Sequence, residues 1–212
     1  ITKDLNPVYG SIQKLFSRNT NLVTFCENKV LKVLSNKDAL FNADGNVNVT
    51  STNAVLGQSI PFAGDFGISR NPESFANYGY RIYFSDKDRN AVLRLSGDGI
   101  TDISEKGMKK FFKDNLNEAS FVVGSYDINK DLYNITLNNK TASFAEAVNG
   151  WTSLKSFLPE NAVSISGDYY TFYNGEIWKH TVNTLRSNFY GVQYDSQVKL
   201  VLNDEPSVVK NY

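Results

Sequence analysis

The chain has 212 residues, with 22 basic and 22 acidic side chains and a formal net charge of zero. That balance excludes nucleic-acid binding driven by bulk charge and leaves only a local patch for such a role. The 14 Phe and 12 Tyr, separated by Asn, Gly and Asp, predict many short strands joined by turns, in one all-β domain or two small ones.

Residues 1–20, ITKDLNPVYGSIQKLFSRNT, mix Pro, Gly and polar residues with a short apolar segment and read as an irregular lead-in. A β-propeller-like domain is expected over residues 21–212. It opens with NLVTFCENKVLKVLS, an apolar run, a polar turn at Glu27-Asn28-Lys29 and an alternating run from Val30 to Leu34, which is a hairpin pattern. In the next stretch, KDALFNADGNVNVTSTNAVLG, Asp44–Gly45 is a turn signal.

The hairpin pattern returns in YRIYFSDKDRNAVLRLS, where Tyr80, Ile82 and Phe84 alternate with Arg81, Tyr83 and Ser85. SEKGMKKFFKDNL places Met108, Phe111, Phe112 and Leu116 on one helical face, although Gly107 weakens a helix. ASFVVGSYDINKDLYNITLNN is a third hairpin, and YYTFYNGEIWKHTV a fourth, with Asn174–Gly175 as its type I′ turn. GITDIS, TASFAEAV, WTSLKSF and AVSIS are further short strands. The anchors Phe25, Phe84, Tyr126 and Phe172 recur at comparable spacing, which is the mark of propeller blades built as antiparallel meanders. Propellers have typically about four to eight blades, so four hairpins suggest a partial or small propeller.

Cys26 is the single cysteine, so no internal disulfide forms, which fits a reducing compartment. No apolar run is long enough for a membrane-crossing helix, and the start lacks a signal-peptide pattern. The chain starts at Ile1 and closes on SVVKNY, and reads as a fragment of a longer protein.

Asp86, Asp88 and Asn90 have the spacing that opens a calcium loop, and Asp127, Asn129 and Asp131 repeat it. Such a loop needs Gly at its sixth position and an acid at its twelfth. Here those positions are Ala91 and Gly97 in one loop, and Leu132 and Asn138 in the other. Asp and Asn also cap and turn hairpin tips, so both stretches read as turns rather than metal sites. Asp65, Asp86, Asp127, Glu146 and Asp168 are the carboxylates a glycosidase pair would draw on, but no spacing pairs them. His180 is the one His, with no nucleophile-elbow motif to join it, and reads as a polar strand-face residue. Cys26 reads as a small core residue. Tyr169, Tyr170, Tyr173 and Trp178 form an aromatic cluster; one strand face belongs to the core, and the other can meet a sugar or a protein. Trp151 should pack between strands or blades. No catalytic, metal or cofactor-binding residue is assigned.

Several stretches are more specific. YFSDKDRNAVLRLSGDGITDIS, GSYDINKDLYNITL and SFAEAVNGWTSLKSFLPENAVSISGDYYTFYNGEIWKH follow one another in order. Within them Phe144, Glu146, Gly150, Trp151, Ser153, Lys155, Ser156 and Phe157 form a distinctive pattern, and Asn203, Asp204 and Pro206 through Asn211 close the chain. From Tyr80 to Tyr212 the chain resembles large virion structural proteins of tailed phages, especially crAss-like phages, known as stabilisation, tail or muzzle proteins. The resemblance implies a non-enzymatic component of the virion tail or its distal end, assembled in the bacterial host cytoplasm. Its partners would be copies of itself and other tail proteins in a ring, with no cofactor, no nucleic acid and no membrane.

The expected fold is therefore all-β and propeller-like, with one short helix. Phe84, Leu93, Leu95, Tyr126, Trp151, Phe157, Phe172 and Trp178 should build it. The alternative function is a carbohydrate-binding module or adhesin of a gut bacterium or phage, with glycan held by the Tyr169–Trp178 aromatics. A propeller hydrolase is the second rival and requires a carboxylate pair.

Overall fold

A computed structural model describes residues 2–41 and 47–199. The Asp44–Gly45 turn and the closing pattern from Asn203 to Asn211 lie outside the described residues.

The chain is a succession of antiparallel meanders. The first sheet holds β1 (Ile12–Arg18), β2 (Asn21–Cys26), β3 (Val30–Phe41) and β4 (Val47–Pro61), side by side in that order. The second holds β5 (Ala76–Tyr78), β6 (Arg81–Asp86), β7 (Ala91–Ser96) and β8 (Gly99–Asp102). The helix α1 (Lys109–Leu116) follows. The third sheet holds β9 (Val122–Asp127), β10 (Leu132–Leu137), β11 (Lys140–Ala145) and β12 (Gly150–Lys155). A fourth has three strands, β13 (Asn161–Ile165), β14 (Asp168–Tyr173) and β15 (Glu176–Lys179). A last hairpin pairs β16 (Asn188–Phe189) with β17 (Val192–Gln193). The architecture is propeller-like, with sheets stacked face to face and no closed ring among the described residues.

All four expected hairpins form. Their turns follow from side-chain chemistry: Asn90 and Asp131 take left-handed backbone at two tips, as Asn and Asp tolerate best. Asn174 (φ 53°) and Gly175 (φ 76°) are both left-handed, as a type I′ turn requires. The expected short strands appear as β8, β11, β12 and β13. The helix starts later than the pattern suggests, because Gly107 sits at φ 85° just before it.

Residues 12–18 depart from the irregular lead-in expected over 1–20. They form β1, hydrogen-bonded along β2 from Arg18↔Asn21 to Ile12↔Cys26. Only Phe16 of this strand packs on the core, while Leu15 is 53% exposed. An edge strand with one core-facing residue leaves little alternation in sequence.

Two apolar layers hold the sheets together. Val23, Phe25, Val30, Ile68, Ile82, Phe84, Leu93 and Leu95 fill the space between the first and second sheets. Tyr83, Val92, Ile103, Phe112, Leu116, Tyr126, Tyr133, Ile135 and Phe144 fill the space between the second and third. β6 feeds both layers, with Ile82 and Phe84 on one face and Tyr83 on the other, as strand alternation dictates. A sheet buried on both faces has no polar side to show, so its strands lose the hydrophobic-in, polar-out signature.

β9 is the first strand of its sheet, yet all six residues are buried. It lies against β5 and β13, the first strands of the sheets on either side. Gly124 makes this approach possible. A Cβ there would lie 1.9 Å from the Ser74 carbonyl oxygen.

Candidate functional site

The four aromatics of the expected interaction surface lie on β14 and β15, and the pairing Thr171↔Trp178 fixes their faces. Tyr169, Tyr173 and Trp178 share one face, and Tyr170 points to the other. Tyr169 is fully buried, which corrects its assignment as an exposed contact. Its hydroxyl bonds Ser125 Oγ at 2.8 Å and accepts from Asn134 Nδ2 at 3.4 Å. Burial raises its pKa above the ordinary tyrosine value. Tyr169 thus ties the fourth sheet to the third.

Tyr173 is 41% exposed and stacks on Tyr190, with ring centres 4.4 Å apart and planes within 5°. Trp178 is half-buried, with Tyr190 against it edge-on at 5.5 Å. The Tyr190 hydroxyl donates to Thr171 Oγ1 at 3.0 Å. The last hairpin therefore covers most of this face. Tyr190 and Phe189 were not foreseen as part of the cluster. The signal for them was the aromatic pair beside Gly191 in NFYG, a turn whose partner only the fold reveals.

The other face is open. Val163 pairs with Tyr170, Ile165 with Asp168 and Phe172 with Ile177. Ile165 is 57% exposed and Ile177 67%, while Tyr170 and Phe172 are half-buried. Phe172 was expected in the core. It is the outward-facing counterpart of Phe25 and Phe84, because no further sheet among the described residues covers it. Lys179 lies over the Tyr170 ring at 5.9 Å and binds Asp168 at 2.6 Å, closing one side of this apolar strip.

His180 is buried rather than on a polar strand face. Its Nε2 bonds Thr171 Oγ1 at 2.8 Å, and its ring meets Phe157 edge-on at 4.9 Å. Burial, aided by the Lys130 charge, lowers its pKa to about 4. The imidazole is neutral at physiological pH. Cys26 is a buried core residue, and burial raises its thiol pKa.

The acidic stretches are hairpin tips. Asp86 is fully buried and accepts hydrogen bonds from Gly67 N (2.9 Å), Ser69 Oγ (2.8 Å) and Arg89 Nη1 (3.0 Å). It clamps the loop between the first two sheets onto the β6–β7 hairpin. Asp127 accepts from Asn129 N at 3.0 Å in a tight turn, and burial raises its carboxyl pKa. Among the described residues, no group of three His, Cys, Asp or Glu side chains is placed to hold a metal ion.

The remaining carboxylates each serve a separate contact. Asp65 binds Lys29 at 3.0 Å, and Asp168 binds Lys179. Glu146 accepts from the Tyr83 hydroxyl at 2.8 Å and from Arg94 Nη1 at 2.9 Å, with Arg81 at 3.8 Å. That cluster joins the second sheet to the third. Trp151 reinforces it. Its indole donates to the Ile103 carbonyl at 2.9 Å, and its ring lies 4.6 Å from Phe112 and 5.3 Å from Phe144. Asp86, Glu146 and Tyr169 thus act as clamps between successive parts of the fold, and the outer face of the fourth sheet is an exposed apolar strip.

Comparison with known proteins adds a family. The Crassvirus muzzle protein family matches residues 2–175. No curated protein matches. Among solved structures, virginiamycin B lyase from Staphylococcus aureus is 12% identical, with a TM-score of 0.41 over 86% of this chain and 59% of the lyase. A catalytically inactive form of that lyase with quinupristin gives the same values. A streptogramin B lyase is 11% identical, with a TM-score of 0.39 over 82% of this chain and 55% of the other. The chain thus spans less than two thirds of each of these lyases.

Proposed function

Because the chain belongs to the Crassvirus muzzle protein family, we propose that it is a non-enzymatic part of the phage tail or its distal end. It is a structural protein of crAss-like phages and a component of the virion. In this reading it works through protein–protein contacts in a ring, with copies of itself and other tail proteins, after assembly in the host cytoplasm. The family match over most of the chain carries the proposal.

Two features support it. Clamps such as Glu146–Arg94, Asp86–Ser69 and Tyr169–Ser125 tie each sheet to the next and suit a rigid building unit. The outer face of the fourth sheet offers Val163, Ile165, Tyr170, Phe172 and Ile177 as a contact surface. Apolar and aromatic surface of this kind is typical of assembly interfaces.

Immunogold labelling of purified particles with an antibody to this chain tests the reading. Label at the tail is expected. Label confined to the capsid shell, or none on intact or denatured particles, would overturn it and favour glycan-binding assays instead.

A further inference from the structure

After β15 the chain turns through residues 181–191, and four of them hold left-handed backbone: Thr181 (φ 67°), Ser187 (φ 56°), Tyr190 (φ 54°) and Gly191 (φ 77°). Gly takes that region freely, but β-branched Thr181 does so only under strain. Strain of this kind concentrates where a loop is shaped for a ligand.

This loop, residues 178–180 and Lys130 line an open cleft of about 490 Å³. Among the described residues its lining carries Lys130, Lys179, His180 and Arg186, and no Asp or Glu. Lys179 is already engaged by Asp168. Lys130 and Arg186 form no salt bridge among the described residues. Thr181, Thr184 and Ser187 add hydroxyls to the wall. Trp178 also lines the cleft, and its buried indole N–H has no acceptor among the described residues. That N–H is shielded from solvent and lies out of reach of a ligand in the cleft, so Trp178 serves there as wall. The cleft holds positive charge and donors, and none of its described lining residues is negative.

The geometry points to a binding site for a compact oxyanion, a phosphate, sulfate or carboxylate group, held by Lys130 and Arg186. Charge-assisted bonds from Lys and Arg suit such groups. The site is separate from the assembly face and does not depend on the tail reading. A free phosphate and an acidic sugar offer the same chemistry.

The chain has two Trp, so its ¹H–¹⁵N spectrum carries two indole signals, and Trp178→Phe assigns them. Inorganic phosphate, sulfate and glucuronate are titrated in turn at constant ionic strength. The Trp178 signal should move saturably while the Trp151 signal stays. In Lys130→Gln/Arg186→Gln the apparent Kd should rise at least about tenfold, as loss of two charge-assisted contacts predicts. Arg186→Gln alone, on an exposed loop residue, serves if the double variant unfolds, and should weaken binding in the same direction. Saturation by glucuronate but not by phosphate identifies an acidic sugar, and the reverse identifies a free oxyanion. Saturation by none of the three, or unchanged affinity in the variants, would overturn the assignment.

Discussion

Replacing His180 with Gln should flatten the acid side of the protein's stability profile. In the folded protein His180 is wedged between Phe157 and Tyr169, with Nε2 bound to Thr171. Burial first, and Lys130 second, hold its pKa at about 4 against an ordinary 6.5. The unfolded chain therefore takes up a proton below pH 6.5 that the folded chain refuses. The stability from a neutral His180 is fully present above 6.5 and drains away as pH falls towards 4. At 1.36 kcal/mol per pH unit the upper bound is ~3.4 kcal/mol. Asp127, whose carboxyl pKa is raised by burial, acts in the opposite sense over acid pH. It is present in both proteins, so the difference between them isolates His180. Urea unfolding at pH 7, 6, 5 and 4.5 gives the two profiles. Wild type should lose about 2–3 kcal/mol more than His180→Gln between pH 7 and 4.5. Parallel profiles would refute the claim that a buried neutral imidazole sits in this interface.

Three substitutions probe the joints between sheets. Trp151→Ala should destabilise by ~2–4 kcal/mol, near the lower end of the range for a buried aromatic, because the ring is half-buried yet loses a hydrogen bond to Ile103; a urea midpoint shift worth under about 1 kcal/mol would sink its role as a joint. Glu146→Ala should cost about 2–3 kcal/mol by stranding the Tyr83 hydroxyl and stripping Arg94 of one carboxylate. Adding Tyr83→Phe to it should cost less than Tyr83→Phe does in wild type, and strict additivity in the double-mutant cycle would count against the pair. Gly124→Ala should destabilise by more than about 2 kcal/mol, because its methyl meets fixed backbone at Ser74. Gly97→Ala, with nothing within 4 Å of its Cβ, is the control and should change the thermal midpoint little.

The hairpins were legible because a turn is a local event. Asn174–Gly175, Asn90 and Asp131 take left-handed backbone for reasons contained in their own side chains, and the strands flanking them follow. The same locality exposed the two acidic stretches as turns, since their missing Gly and acid positions are counted along the chain. The resemblance from Tyr80 onward rested likewise on residue order, and the family match reaches back to residue 2.

What the tertiary structure alone decided is which face of each strand is covered. Tyr169 and Tyr170 are adjacent in sequence and similar in chemistry, yet one is locked behind Ser125 and the other edges an open surface. Phe172 repeats the pattern of Phe25 and Phe84 but lacks the sheet that buries them. β1 hid in sequence because its single core contact, Phe16, depends on the second sheet's arrival. Alternation along a strand is set by the backbone and can be read from residues. Burial depends on the neighbouring sheet, and the residues that supply it, such as Tyr190 over Tyr173 or Glu146 against Tyr83, come from distant parts of the chain.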